Sequence, residues 1–246
     1  MDTPAAGHDE PAARQLPADL VPLAELPGFD PGAHAVQRPE EDLRPVPAQS
    51  LHPDAIRARF RSPPSWRPEP WPVYRFSGRQ PIAAAVLVPL VLHEQPSVLL
   101  TQRTLHLPSH SGQLAFPGGK QEPGDRDLVA TALREASEEI GVLAADVEIA
   151  AQLPGITTGT GYLVTPVVGL LRPGTPMRPC DGEVAELFEL PLADVLDPRN
   201  QCRHELRSHG TLREWMSVTC EADGRRRFIW GATAAVLRDL FLFFRA

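Results

Sequence analysis

Cysteine is scarce in this chain, with three residues among 246, Cys180, Cys202 and Cys220. They are widely spaced and match no metal-ligand pattern, so a disulfide scaffold is excluded and reduced thiols are expected. Long apolar runs are missing too. The longest, Ile82 to Leu92, contains Pro89 and falls far short of the roughly 20 residues that span a bilayer. The first residues, MDTPAAGHDEPAARQL, are acidic and have no apolar stretch, so no secretory signal is read there. An excess of basic residues is also lacking. A net charge of −7 disfavours a nucleic-acid backbone as partner. A soluble, cytoplasmic protein is expected, with neither nucleic acid nor membrane as partner. The same charge requires that a polyanionic substrate be met by local cations or bound metal.

Proline, by contrast, is abundant and unevenly placed. Fifteen of the 28 prolines lie in the first 80 residues. Residues 1–75 therefore read as a Pro-rich extension, partly irregular, with one short helical piece at Pro53 to Arg61. From residue 76 onward the chain reads as one domain. Ile82 to His93 and Ser97 to Arg103 form an apolar strand pair around a polar turn, and Gln113 to Phe116 is a third strand. Asp127 to Gly141 is the clearest helix. Val129, Leu133, Ala136 and Ile140 make its apolar stripe, and Gly141 suits its end. Asp146 to Leu153, Leu163 to Leu171, Glu183 to Leu190 and Arg213 to Glu221 are further strands, and a last helix runs from about Gly231 to Phe244. Strands on both sides of a central helix predict an α/β (α+β) sandwich with a mixed sheet, not a doubly wound one.

The chemistry concentrates on that central helix. Glu135, Glu138 and Glu139 stand at i, i+3 and i+4, so they converge on one face, away from the apolar stripe. Like charges at this spacing weaken an isolated helix by roughly 0.2–0.5 kcal/mol per pair. A divalent cation removes that penalty, and hard oxygen ligands suit Mg²⁺ or Mn²⁺. An isolated run of this kind is more often a solvated face. Here it adjoins Arg134, a Gly118-Gly119 turn and a preceding strand.

With those residues included, the segment resembles the Nudix box, G-x5-E-x7-R-E-U-x-E-E-x-G-U with U aliphatic. Gly119, Arg134, Glu135, Ala136, Glu138, Glu139, Gly141 and Val142 match it. Asp125 stands where the box has its first Glu, and eight residues instead of seven separate it from Arg134. The resemblance implies a Nudix-type α/β/α sandwich and makes Glu135, Glu138 and Glu139 the metal ligands. Glu138, Glu139 and Arg134 become the catalytic set, with Arg134 holding the loop and orienting a glutamate.

Upstream, Leu99-Leu100-Thr101-Gln102-Arg103 and Ser111-Gly112-Gln113-Leu114-Ala115-Phe116-Pro117-Gly118-Gly119 resemble the signature of the coenzyme A pyrophosphatase branch. That branch cleaves the diphosphate of CoA or its thioesters, giving 3′,5′-ADP and a 4′-phosphopantetheine product. Arg103, Lys120, Gly118 and Gly119 are then the substrate-binding candidates, although Arg103 and Lys120 also read as ordinary surface cations. The branch usually carries a second Arg after its L-L-T-x-R, where this chain has Pro108. His106 or His110 is the replacement on offer. NADH, ADP-ribose or another nucleoside diphosphate derivative is the alternative substrate, and a noncatalytic ligand sensor is the alternative class. An isopentenyl diphosphate isomerase on the same fold would need a Cys ahead of the box, and none precedes Cys180. The expected partner is a CoA-like small-molecule diphosphate, with a homodimer left open. Glu183 and Glu186 are held as outside candidates for the general base.

Overall fold

Two ten-residue strands, separated in sequence by the whole glutamate region, lie side by side and set the frame. The computed structural model describes residues 15–16, 21–33, 38–39, 43–71, 73–74, 80–106, 111–208 and 210–246. The leader supplies β1 (Gln15–Leu16), β2 (Arg38–Pro39), α1 (Pro53–Arg61) and β3 (Val73–Tyr74). There follow β4 (Ile82–Val91), β5 (Ser97–Arg103), β6 (Leu114–Ala115), β7 (Gly118–Lys120) and α2 (Leu128–Ile140). The remainder is β8 (Glu148–Gln152), β9 (Ile156–Thr157), β10 (Tyr162–Leu171), β11 (Val184–Pro191) and α3 (Leu192–Val195). Then come β12 (Gln201–Ser208), β13 (Thr211–Ala222), β14 (Arg225–Trp230) and α4 (Ala232–Arg245).

The main sheet runs β11-β5-β4-β10-β8, with β6 on β5, β7 on β4 and β9 on β10. β4 and β10 are parallel from Ile82↔Tyr162 to Val91↔Leu171, and the other pairs are antiparallel. The sheet is mixed, as the element pattern predicts. β4 and β5 pair only at Leu90↔Val98 and Val91↔Ser97 beside their turn. Beyond it they part, and β7 and β6 occupy the gap.

Side-chain alternation along β4 separates the two cores. Ala85, Leu87 and Val91 face α2 and pack with Ala132, Ala136 and Ile140. Val88 and Leu90 face the opposite way, into a larger core shared with α1, α4 and a second sheet, β14-β13-β12-β2. On α2 the fully buried apolar positions are Ala132, Ala136 and Ile140, while Val129 and Leu133 pack at the margin. The stripe is rotated slightly from the predicted one, with Ala132 buried in place of Val129 and Leu133.

β12 and β14 escape the sequence reading. Strand β12 is buried through polar groups: Gln201 donates to the Val195 carbonyl, and His204 meets Ser217 Oγ at 2.7 Å while stacking on Trp215. No hydrophobic alternation marks such a strand. β14 opens on three arginines, and one of them, Arg227, is buried with both Nη atoms on Glu186. Among the described residues no helix is long and apolar enough to cross a membrane, and Cys180, Cys202 and Cys220 form no disulfide with one another.

Helix α1 spans Pro53–Arg61, matching the short helix expected there. Ile56 and Phe60 enter the larger core, and Phe60 stacks on Phe243 at 4.8 Å. Each such burial is worth roughly 1.5–3 kcal/mol. Arg59 Nη2 donates to the carbonyls of Phe243 and Phe244, satisfying the open end of α4. Downstream, the Glu69 carboxylate bridges Arg203 (2.9 Å) and Arg238 (3.0 Å). The Glu69 N–H donates to Asp239 Oδ1 at 2.9 Å. The part of the leader that is described is thereby fastened to β12 and α4.

Asp239 is 1% exposed, and burial pushes its carboxyl up to about 7. The folded chain therefore holds this proton more tightly than the unfolded one. The associated stability is present below the ordinary Asp pKa and is lost as pH rises through 7. Asp239→Asn keeps an acceptor for the Glu69 N–H and removes the titration. Its melting temperature is expected to fall less between pH 5 and 8 than that of the parent, and to be higher at pH 8. Thermal melts across that range check this; parallel curves would refute it.

Candidate active site

Helix α2 is fixed at both ends. Asp127 caps its start by accepting from the Ala130 N–H at 2.7 Å, and Gly141 ends it in a left-handed conformation with φ 67°. Between these caps Arg134 is the hub. Its Nε and Nη2 grip the two oxygens of Asp125, each at 3.0 Å. Nη1 reaches Glu135 Oε1 at 2.9 Å and Glu138 Oε2 at 3.0 Å, and Nη2 also donates to the Lys120 carbonyl at 3.1 Å.

The shorter Asp125 thus meets Arg134 in a two-bond fork. Its Oδ2 also accepts from the Glu122 N–H (2.9 Å) and Thr131 Oγ1 (3.0 Å). These bonds, led by those from Arg134, hold the Asp125 carboxyl well below the usual range. In return they raise Arg134 above its ordinary value. Sequence reasoning misses Thr131. Its position one helical turn before Glu135 is the one signal that could find it.

The three helical glutamates do not share one environment, which corrects the expectation of a single carboxylate face turned from the sheet. Glu138 is exposed, at 59% of its side chain. Glu135 is mostly covered and lies against the Gly119 Cα, so that a Cβ there would overlap its carboxylate. Glu139 is 5% exposed, tucked between α2 and β7, where Oε2 accepts from the Gly118 N–H at 3.3 Å. Glycine makes this possible. At Gly118 a Cβ would collide with the Ala85 carbonyl and Val86, so no side chain would fit between β7 and β4.

Burial raises Glu135 despite Arg134, and pushes Glu139 up to about 7. Arg103, with Nη1 3.7 Å from Glu139 Oε1, and the Gly118 N–H counter that rise, while Glu135 and Glu183 add to it. Among the described residues no three His, Cys, Asp or Glu side chains are gathered as a ligand cluster. Arg134 acts as counter-ion to Glu135 and Glu138, and Glu139 turns to the backbone. The donor set still suits a hard divalent cation. Two covered carboxylates with raised proton affinity, next to a third in solvent, are under-compensated for charge, and a cation would relieve both.

Beside the site, between the main sheet and the second sheet, lies a cavity of about 660 Å³ whose lining includes no residue of α2. Arg103, Gly118, Gly119 and Lys120 line it, together with Thr157 at the end of β9 and Thr158 to Thr160 of the loop that follows. Lys120 has an exposed side chain. Arg103 is three-quarters covered, and its Nε is buried without a hydrogen-bond partner among the described residues. Trp215 and Trp230 of the second sheet also line the cavity. Trp71 and Pro22 to Glu25 complete it, and no motif in the Pro-rich leader marks them. Glu186 is held by Arg225 and Arg227, and the hydrogen bonds from Arg227 lower its carboxyl. It is therefore poorly placed as a base. His106 is exposed; Pro108 and His110 lie outside the described residues.

Comparison with known proteins agrees with this arrangement. A family model described as NUDIX domain matches residues 81–209. The uncharacterized Nudix hydrolase NudL of Escherichia coli (strain SMS-3-5 / SECEC) is 42% identical over 160 residues, covering 65% of this chain and 81% of NudL. NudL of Shigella boydii serotype 18 matches with the same identity and coverage. Among solved structures, a C. elegans Ap4A hydrolase binary complex is similar at 22% identity. It covers 46% of this chain and 83% of its own, with a TM-score of 0.40. The NUDIX domain of Shewanella oneidensis NrtR complexed with ADP ribose is similar at 25% identity, covering 49% and 79%, with a TM-score of 0.38.

Proposed function

We propose, from the premise that this chain belongs to the Nudix family and is a Nudix hydrolase acting on diphosphates, that its substrate is coenzyme A or a CoA thioester. The products would be 3′,5′-ADP and a 4′-phosphopantetheine. One observation carries the reading. Arg103 of the L-L-T-Q-R strand and Gly118 of the F-P-G-G run both line the cavity and both meet Glu139, Arg103 Nη1 at 3.7 Å and the Gly118 N–H at 3.3 Å.

Glu135, Glu138 and Glu139 are the residues that would hold Mg²⁺ or Mn²⁺. Such an ion supplies Lewis-acid stabilisation of charge on the diphosphate and lowers the pKa of water. The protein's own groups do the rest. Arg134 fixes the loop through Asp125 and the Lys120 carbonyl, and so sets where Glu135 points. Arg103 and Lys120 offer cations to phosphate oxygens. A water oxygen bonds to phosphorus, the bridging P–O bond breaks, and the proton of water passes to a carboxylate of α2. Glu138, the solvent-facing one, is placed to accept it.

A panel of CoA, acyl-CoAs, NADH and ADP-ribose, each with Mg²⁺ and with Mn²⁺, tests the substrate. The expected outcome is the highest kcat/KM on CoA or an acyl-CoA, with 3′,5′-ADP released. Faster cleavage of NADH or ADP-ribose would move the enzyme to another branch of the family.

A further inference from the structure

A threonine within a helix commonly returns its hydroxyl to the carbonyl four residues back. In α2 that carbonyl belongs to Asp127, and it already accepts from the Thr131 N–H at 3.1 Å. The Thr131 hydroxyl stands 3.3 Å from the same oxygen and 3.0 Å from Asp125 Oδ2. A hydroxyl has one hydrogen to give, and a carboxylate held ionised by Arg134 is both the nearer and the stronger acceptor. Thr131 is fully buried, so bulk solvent does not compete for that hydrogen.

Asp125 is one methylene shorter than the glutamate that the box carries there, and its two oxygens are held unequally. Oδ1 meets Arg134 Nε, whereas Oδ2 accepts from Arg134 Nη2, the Glu122 N–H and Thr131 Oγ1. The fork by itself would fix Asp125 and Arg134 to each other and leave the pair to swing on the long arginine chain. The Glu122 N–H and the Lys120 carbonyl tie the pair to the loop before α2, and Thr131 ties it to the first turn of the helix. A β-branched side chain has few χ1 choices on a helix, so this last tie is stiff. Thr131 and Arg134 are three residues apart and share a face of α2. Seating the pair there also seats Nη1, the atom that reaches Glu135 at 2.9 Å and Glu138 at 3.0 Å.

Resting on the reading of Glu135 and Glu138 as working carboxylates, we propose that Thr131 is a positioning residue for diphosphate cleavage. Its hydroxyl seats the Asp125–Arg134 pair and, through Arg134 Nη1, sets where Glu135 and Glu138 stand. Thr131 is absent from the cavity lining, so it acts through these groups and not on the substrate. Its hydroxyl therefore serves turnover, while substrate capture rests with Arg103 and Lys120. The methyl has a different duty, which is to fill buried space beneath the helix.

Two substitutions separate the duties. Thr131→Val keeps the shape and removes the hydroxyl; Thr131→Ser keeps the hydroxyl and removes the methyl. With Mg²⁺ and the best substrate of the panel, Thr131→Val is expected to lower kcat by roughly tenfold, the scale of a lost hydrogen bond to a charged group. Its KM should stay within about twofold of the parent, and Thr131→Ser should keep kcat within about twofold. On an Asp125→Asn background, Thr131→Val should cost less than about twofold more, as expected of groups that act through one another. A readout without turnover is the solvent exchange of the Arg134 Nε–H, followed by NMR in metal-free full-length protein. It should quicken in Thr131→Val and match the parent in Thr131→Ser. Parental kcat in Thr131→Val, an equal loss in the valine and serine variants, or Nε–H exchange unmoved by Thr131→Val overturns the proposal. Failure of the reading beneath it looks different, since Glu135→Gln would then keep parental kcat while Thr131→Val still quickened the exchange.

Discussion

Glu139→Gln is expected to lower kcat by about 10²–10⁴-fold, the loss typical when a group that carries protons or charge in the reaction is neutralised. The fold should survive. The substituted amide can still accept from the Gly118 N–H, and the change removes a carboxylate whose burial has pushed it up to about 7. For a group raised in the folded state, stability is lost as pH climbs through the folded pKa. In the absence of metal the variant should therefore melt at or above the parent temperature at pH 8. The ceiling on that gain is on the order of 3 kcal/mol. Turnover with Mg²⁺ or Mn²⁺ and a metal-free melt together separate chemistry from folding. Near-normal turnover would remove Glu139 from the site, and a lower melting temperature at pH 8 would contradict the burial argument.

The second large effect is a contrast between adjacent glycines. Gly118→Ala places a Cβ against the Ala85 carbonyl and Val86 Cα, atoms of β4 that cannot move without opening the β4–β7 pairing. Gly119→Ala places one against the Glu135 carboxylate, the movable end of a side chain. The first should fail as a folding defect, with a melting temperature lowered by several degrees and less soluble protein. The second should fold near normally and lose at least tenfold in kcat, because Glu135 is pushed off its position. Circular dichroism melts and steady-state kinetics on both variants give the comparison. Equal melting temperatures would show that the β4–β7 contact at Gly118 is looser than these distances imply.

Much of the frame is readable from the chain. α2 announces itself through its period, its Asp127 cap and Gly141, and β4, β5 and β10 through β-branched runs. The mixed character of the sheet follows from a single helix among strands. The gathering of Arg103, Gly118, Gly119 and Arg134 with the glutamates is legible only as a resemblance, because spacing alone does not say that β5 and β7 share the edge of one cleft. Unequal burial of Glu135, Glu138 and Glu139 is not legible at all. It depends on how closely α2 approaches β7, where the missing side chain at Gly119 leaves room for the Glu135 carboxylate, and on how closely β7 lies on β4 at Gly118. β12 is hidden because its interior is satisfied by hydrogen bonds of Gln201 and His204 in place of apolar packing. The cavity wall at Leu23 and Trp71 is hidden because a segment without periodicity gives no clue to what it will touch.

The parallel pairing of β4 with β10 has a consequence for how the chain reaches its native state. Residue 82 must find residue 162, and the glutamate helix lies within the loop that this pairing closes. Contacts of such long sequence separation are slow to form, since loop entropy is spent before the strands gain anything. On the ribosome α2 emerges early, yet the strand that holds its sheet together appears only after residue 162. The second sheet and α4, which close the opposite core, come later still. Catalytic competence should therefore wait until β10 and the elements after it have been made, and the waiting β4 edge is the surface on which a nascent chain most needs protection.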